Sequence, residues 1–293
     1  MKKNESIEYV NSITPEEFHN CYVKNGKPVV IQGMMDNWKA LSWDNEYLKT
    51  MAKDISLAIK QGDVSNGNLK SIALKDYLDS ITKIEFTNSK QKSKIGYLHD
   101  TPLFSYIPKL VEDVTPFPKE FIPNWYWSNW ANYVQFFIGP KDSITPLHFD
   151  TLGTHNLFFQ ISGKKEFTLI PPEQRKFCYM NSWRWSKFDP SNPDFDTYPL
   201  ARKTTPTSVI IQSGDILYIP SYTLHHVRSL SNSISFNIDW HTSSSARKGI
   251  WSMFKGAPYK NAYYNLMLYL GLGIGVPEPT IYPRLKSYMS YVS

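Results

Sequence analysis

Apolar and polar residues alternate with period two through much of the second half of the chain. That period marks strands with one buried face, because successive side chains leave a strand in opposite directions. It predicts strands near 133–138, 146–151, 156–161, 165–170, 208–211, 215–219, 224–229 and 234–240, with turns at Gly139-Pro140 and Ser162-Gly163. So many short strands at close intervals predict a β-barrel or double-sheet jelly roll. Residues 1 to about 90 read as a mixed α/β lead-in. Thr14-Pro15-Glu16-Glu17 supplies a capping residue, a first-turn proline and early acids for a helix running through Phe18 and Tyr22. Lys27 to Gln32 reads as a buried strand, Asn37 to Trp43 as a turn with two aromatic anchors, Tyr47 to Met51 and Leu74 to Leu78 as short helices, and Asp63 to Leu69 as a loop. An aromatic, proline-containing insertion between Pro171 and Thr207 carries Trp183, Arg184, Trp185, Phe188 and Tyr198. After about residue 244 the spacing turns helical and ends in a Tyr-rich tail. The expected organisation is mainly β with flanking helices: a domain over 1–244, with lead-in 1–125 and barrel core 126–244, then a helical region over 245–293.

Composition narrows the class. Of 293 residues, 41% are hydrophobic and 15% aromatic, which is enough for a sizeable core and argues against disorder. The 32 Lys and Arg against 26 Asp and Glu give +6, scattered along the chain. A nucleic-acid footprint normally shows as a clustered stripe, so no nucleic-acid partner is expected. Two cysteines, Cys21 and Cys178, fall in no zinc spacing, so neither a disulfide framework nor a structural zinc is expected. The first residues lack the apolar run of a signal peptide, and cytoplasmic localisation is expected. The apolar run from Ala262 to Val276 is short for a membrane span and is interrupted by Asn265 and three glycines, so no membrane partner is expected. Tyr263, Leu266, Met267 and Leu270 recur there at helical spacing and suggest a packing or dimerisation helix.

The chemistry concentrates in Thr145-Pro-Leu-His148-Phe-Asp150 and Gly214-Asp-Ile-Leu-Tyr-Ile-Pro220-Ser-Tyr-Thr-Leu-His225-His226. In a strand, His148 and Asp150 share a face, and both can reach one metal ion. A third imidazole from the later strand completes two histidines and a carboxylate, the set used by non-haem Fe(II) oxygenases. His225 and His226 face opposite sides of a strand, so only one can be a ligand, and periodicity does not choose. His155, beside Gly153-Thr154, reads as a loop residue. Lys165 shares a face with Phe167 and Leu169 while 164, 166 and 168 are polar, so its ammonium points inward. A buried ammonium needs an anion, and a dicarboxylic acid in the barrel would supply one. Asn237 shares a face with Ser235 and Asp239, opposite Phe236, Ile238 and Trp240, which implies a polar cavity.

From about Lys27 to Trp240 the chain resembles the JmjC and cupin-like Fe(II)/2-oxoglutarate oxygenases, particularly the subgroup of the hypoxia-inducible-factor asparaginyl hydroxylase. The matching stretches are Lys27-Pro-Val-Val-Ile with Trp38, Tyr97-Leu98 through Ile107-Pro108, the His148 and Asp150 segment, Asn156 to Gln160 with Gly163-Lys-Lys165, Asn192-Pro-Asp194, and Gly214-Asp through Asn237. The resemblance implies a double-stranded β-helix and makes His225 the distal ligand beside His148 and Asp150. It pairs Lys165 with the distal carboxylate of 2-oxoglutarate, assisted by Thr145 and Tyr97. It places Asn156 and Asn237 beside the metal-binding end of that cosubstrate, and implies O2 as the second cosubstrate. Thr223 and Leu224 stand where many members carry two tryptophans. The implied activity is hydroxylation of a C–H bond in a protein or peptide side chain, with Trp183, Trp185 and Tyr198 as substrate-contact candidates and a homodimer formed through the C-terminal helices. A small metabolite is the alternative substrate, demethylation of a methylated lysine fits the subgroup less well, and a cupin-like binding module without turnover is the alternative of another class.

Overall fold

The computed structural model of the chain describes residues 6–85, 95–285 and 287. The first five residues and most of the end of the Tyr-rich tail lie outside them. The strands are β1 (Glu8–Asn11), β2 (Val29–Gln32), β3 (Ser56–Lys60), β4 (Leu69–Ala73), β5 (Leu98–Thr101), β6 (Val134–Gly139), β7 (Ile144–His148), β8 (His155–Ser162), β9 (Lys164–Ile170), β10 (Met180–Asn181), β11 (Trp185–Ser186), β12 (Thr207–Gln212), β13 (Ile216–Ile219), β14 (Leu224–Ser229) and β15 (Ser233–Trp240). They form a seven-stranded sheet in the order β1-β2-β13-β8-β15-β6-β5, a six-stranded sheet in the order β10-β11-β7-β14-β9-β12, and the separate hairpin β3-β4. All eight strands expected in the second half are present within a residue or two, except that β7 ends at His148, leaving Phe149 and Asp150 beyond it.

The period-two pattern sorts side chains between layers. In β15, Phe236, Ile238 and Trp240 join the large core under the lead-in and the C-terminal helices, whereas Asn237 and Asp239 turn toward the space between the sheets. That inner space is walled by a second apolar cluster including Phe137, Phe158, Phe167, Leu169, Ile219 and Val227. A third, smaller cluster lies beneath the insertion, where Phe188 and Ala201 cover Leu147, Ile170 and Leu224. Leu224 is therefore one of the apolar anchors beneath the insertion.

The lead-in follows its local signals. Thr14 Oγ1 accepts from the Glu17 N–H at 3.2 Å while Glu17 accepts from the Thr14 N–H at 3.0 Å, a reciprocal cap; the turn then widens into a π-type helix over Phe18–Val23. The helices α1 (Asn45–Ala52) and α2 (Leu74–Glu85) are longer than the apolar spacing alone indicated. After the barrel, α3 (Ser243–Ile250) and α4 (Tyr259–Leu272) pack back on it. Tyr264 and Leu268 enter the large core, and Gly271 lies so close to the Trp125 indole that a Cβ there would sit 2.4 Å from its nitrogen. Of the stripe expected to mediate pairing, Met267 and Leu270 pack against the core, and Tyr263 and Leu266 remain exposed. Both cysteines are free. Among the described residues no helix is long and apolar enough to cross a membrane.

Candidate active site

Strand pairing brings the two ligand histidines together. His225 on β14 is the register partner of His148 on β7, and Trp185 on β11 flanks His148 from the other side. Asp150 arrives from the loop after β7, which closes in a tight turn with the Gly153 N–H donating to the Asp150 carbonyl at 2.8 Å. Its carboxylate lies 3.9 Å from His148 Nε2 and 3.6 Å from His225 Nε2, and one ligand atom from each of the three lies within 4.8 Å of the others. The shared strand face predicted for His148 and Asp150 is thus achieved by a strand end and a loop.

Both imidazoles are set in the tautomer a metal needs. His148 Nδ1 lies 2.8 Å from the Pro146 carbonyl and His225 Nδ1 3.1 Å from the Thr223 carbonyl. A carbonyl only accepts, so each Nδ1 carries a hydrogen and Nε2, on the Asp150 side, is the nitrogen available to a metal. Burial, reinforced by His225 and Arg184, holds the His148 pKa well below the imidazole range, which keeps that nitrogen unprotonated. Asn156 donates to the other Asp150 oxygen at 3.3 Å. Two imidazole nitrogens and one carboxylate facing a cavity fit a ferrous ion.

That cavity runs from the triad to Lys165. Lys165, fully buried, reaches into it and donates to the Tyr97 hydroxyl at 2.6 Å, with the rings of Tyr97, Phe137 and Phe158 around its ammonium at 5.1 to 5.5 Å. Burial lowers its pKa to about 7. Asn156 and Asn237 line the same cavity, and the side-chain oxygen of each is buried without a hydrogen-bond partner. Such orphaned acceptors are costly unless a ligand or metal-bound group satisfies them. Thr145 also lines it, and its hydroxyl lies 3.0 Å from His99 Nε2.

Sequence reasoning missed the groups behind Thr145. Asp100 Oδ2 sits 2.7 Å from His99 Nδ1, and Lys60 Nζ is 3.2 Å from the same carboxylate oxygen. Burial opposes the Asp100 charge, but His99 and Lys60 overcome it and hold its pKa below the carboxylate range. Burial also drops the His99 pKa to about 4. His99 Nδ1 lies against both the Asp100 carboxylate and, at 3.2 Å, the Lys60 ammonium, and its Nε2 lies against the Thr145 hydroxyl. His99 shares a period-two face with Tyr97, which was the available signal; Lys60 comes from a distant hairpin and gave none. Asp239 also lines the cavity, and burial, added to by Asp150 and Asp100, raises its pKa well above the carboxylate range.

The remaining predicted residues separate. His226 points away from the triad, with Nε2 3.7 Å from Asp189. His155 begins β8 rather than lying in a loop, and is stacked on Trp240 with Nδ1 2.8 Å from the Tyr218 hydroxyl, outside the cavity. Trp185 stacks on His148 at 4.6 Å between ring centres. Trp183 packs edge-on against Phe149 and lines an outer groove, and Tyr198 packs on Tyr179 and Phe188 inside the insertion. Arg184, between the two tryptophans, lines the cavity.

Residues 15–246 match the cupin-like domain family. The chain belongs to that family. It is 32% identical over 247 residues to JmjC domain-containing protein D of Dictyostelium discoideum, covering 75% of this chain and 52% of the relative. It is 27% identical over 239 residues to lysine-specific demethylase 8 of Danio rerio, covering 77% and 56%. With lysine-specific demethylase JMJ30 of Arabidopsis thaliana it shares 28% identity over 245 residues, covering 80% and 54%. The chain spans about half the length of these curated relatives. JmjC proteins are oxygenases that use Fe(II) and 2-oxoglutarate, and the jelly roll and the His148, Asp150, His225 cluster agree with that class. The names of these relatives do not single out the asparaginyl hydroxylase subgroup.

Proposed function

We propose that the chain is an Fe(II)- and 2-oxoglutarate-dependent oxygenase that hydroxylates a C–H bond of a protein or peptide side chain. The observation that carries this reading is one cavity holding the metal-competent triad at one end and at the other an amine, Lys165, buried without a carboxylate partner among the described residues. His148, Asp150 and His225 would hold the ion. When bound, iron and 2-oxoglutarate supply the oxidative decarboxylation that yields succinate and CO2 and places one oxygen atom of O2 in the target C–H bond and the other in succinate.

The chain's own residues bind and orient. Lys165 pairs with the distal carboxylate of the cosubstrate, and the Tyr97 hydroxyl, already within hydrogen-bond reach of Lys165, serves as a second donor. Asn156 holds the Asp150 carboxylate and, with Asn237, offers amide groups near the metal-binding end. Phe137, Phe158, Phe167 and Val227 wall the cavity with apolar surface and exclude water. Trp185, stacked on His148, and Arg184 form the side from which a substrate side chain reaches the triad. The same reading includes cytoplasmic localisation and a homodimer through the exposed Tyr263 and Leu266 face of α4.

A second reading keeps this chemistry and changes the carbon. Hydroxylation of an N-methyl group gives a carbinolamine that breaks down to formaldehyde and the free amine. The demethylase names of the zebrafish and Arabidopsis relatives favour it. The test is conversion of 2-oxoglutarate to succinate by iron-loaded protein, with and without peptide pools and small metabolites, against Asp150→Ala. Turnover in the parent that disappears in the variant, with a peptide gaining the mass of one oxygen atom, supports the hydroxylase. Formaldehyde release supports the demethylase, and equal rates in parent and variant refute both.

A further inference from the structure

Behind the metal-ligand loops, on the outer surface, lies a groove of about 1320 Å³ whose lining is aromatic and basic together. Its cations are Arg175, Lys176, Lys248 and Lys255, and its acid is Glu173, a formal balance of 4 minus 1, or +3. None of the four cations forms a salt bridge among the described residues. Three lie over rings, Lys248 at 5.0 Å from the centre of Tyr222, Arg175 at 4.6 Å from that of Phe149 and Lys176 at 5.1 Å from that of Phe177. Trp251 is 62% exposed at the groove and stacks on Phe254, which is 75% exposed. Contiguous exposed aromatics rimmed by charge are characteristic of interaction sites.

One buried ring, Phe149, stands between the groove and the metal triad. Trp183 and Tyr222, both lining residues, pack on Phe149, which lies between His148 and Asp150. Along the chain, Trp183 faces the groove, Arg184 lines the cavity and Trp185 stacks on His148. A peptide lying in the groove therefore rests on the outer side of the wall that carries the triad.

We propose that this groove is a docking site for an acidic segment of the substrate protein, one that carries carboxylates for the four cations and apolar side chains for Trp183, Tyr222 and Trp251. The proposal rests on the reading of the chain as an oxygenase acting on proteins. Charge complementarity selects an anionic partner, because cations without a carboxylate among the described residues, Arg175 donating only to the Trp183 carbonyl, attract and orient one when gathered at one concave site. A peptide is favoured over nucleic acid because Glu173 stands in the lining, where a regular row of phosphates would meet it, and because nucleic-acid sites extend as basic stripes.

The test is fluorescence anisotropy on the full chain with three labelled probes: a peptide alternating Glu or Asp with Leu or Phe, the same peptide with Lys replacing the acids, and a single-stranded RNA of matched charge. The parent is compared with the Lys248→Glu, Lys255→Glu double variant and with Trp251→Ala, after thermal melts confirm folding. The acidic peptide is expected to bind with an affinity that falls with salt, and the double variant to weaken it by about tenfold or more. Trp251→Ala is expected to weaken it too, and basal 2-oxoglutarate turnover to remain unchanged in both. Equal binding of the acidic peptide to parent and double variant overturns the proposal, as does tighter binding of the RNA or of the lysine peptide. Anisotropy needs no turnover, so lost peptide selectivity with intact basal turnover sinks the groove alone, whereas selective binding without turnover sinks the oxygenase reading.

Discussion

Binding of 2-oxoglutarate should take up a proton at Lys165. Burial lowers the pKa of that ammonium from an ordinary 10.5 to about 7, a penalty on the charged form of roughly 5 kcal/mol. Between those two values the unfolded chain holds more proton than the folded one, so the ligand-free protein gains stability as pH rises from about 7 to about 10.5. An incoming carboxylate reverses the penalty by pairing with the charged form, and the amine must be protonated to accept it. At pH 8 a group of pKa 7 is about one-tenth protonated, so binding should consume about 0.9 proton, and affinity should fall about tenfold from pH 8 to pH 9. Titration calorimetry in phosphate and in Tris at pH 8, with a redox-inert divalent ion in place of iron, reads the uptake as a difference in apparent enthalpy. Lys165→Met should bind 2-oxoglutarate much more weakly and with equal enthalpies in both buffers. Equal enthalpies in the parent, or an affinity flat between pH 7 and pH 9, would refute the lowered ammonium pKa, and unchanged 2-oxoglutarate affinity in Lys165→Met would refute the assignment of Lys165 as the anion site.

Removing one triad ligand should act on the ion first: Asp150→Ala is expected to lower divalent-metal affinity by at least about 100-fold, measured by metal titration, while the melting temperature of the metal-free protein changes little. Gly153 sits at φ +70° with its ideal Cβ position 2.2 Å from the Tyr222 ring. Gly153→Val should therefore cost at least about 2 kcal/mol, a fall on the order of 5 °C in melting temperature, and loosen metal binding because Gly153 closes the Asp150 turn. Introducing charge at the exposed face of α4, with Tyr263→Glu and Leu266→Glu together, should halve the mass seen by light scattering at an unchanged melting temperature. Truncation after Ser245 is the poorer probe, since it also strips Tyr264 and Leu268 from the core.

The barrel was legible because a strand with one wet and one dry face writes its period directly into the sequence. Lys165 and Asn237 stood out for the same reason, as polar residues at inward positions. What escaped notice depends on pairing across long separations. β1, Glu8–Asn11, is short, largely exposed and held by parallel pairing to β2, so nothing in its local pattern marks it. Lys60 reads as one more polar residue until the β3-β4 hairpin places it against His99 and Asp100. His155, beside a glycine, looked like loop; its neighbours Trp240 and Tyr218 lie more than 60 positions away, and they make it the first residue of β8.

The triad shows why the metal centre was easier to find than its surroundings. His148 and His225 are direct register partners, so any slip in the pairing of β7 with β14 would separate them, and the alternating pattern that fixes register also fixes the pair. Asp150 has no such constraint from a strand. Its place is set by the Asp150 to Gly153 turn and by Tyr222 lying against Gly153, and the Asn261 side chain of α4 donates to the Thr151 carbonyl from the other side. The loop that carries this carboxylate is thus held by the C-terminal helices and by the wall of the basic groove, while Asn156 of β8 holds the carboxylate itself. Tyr222 leads in the other direction to His225, three residues on, whose Nδ1 hydrogen bonds to the Thr223 carbonyl. The turn that carries Asp150 therefore rests on the Tyr222 ring, and an occupant of the groove that moves Tyr222 would be felt at that carboxylate.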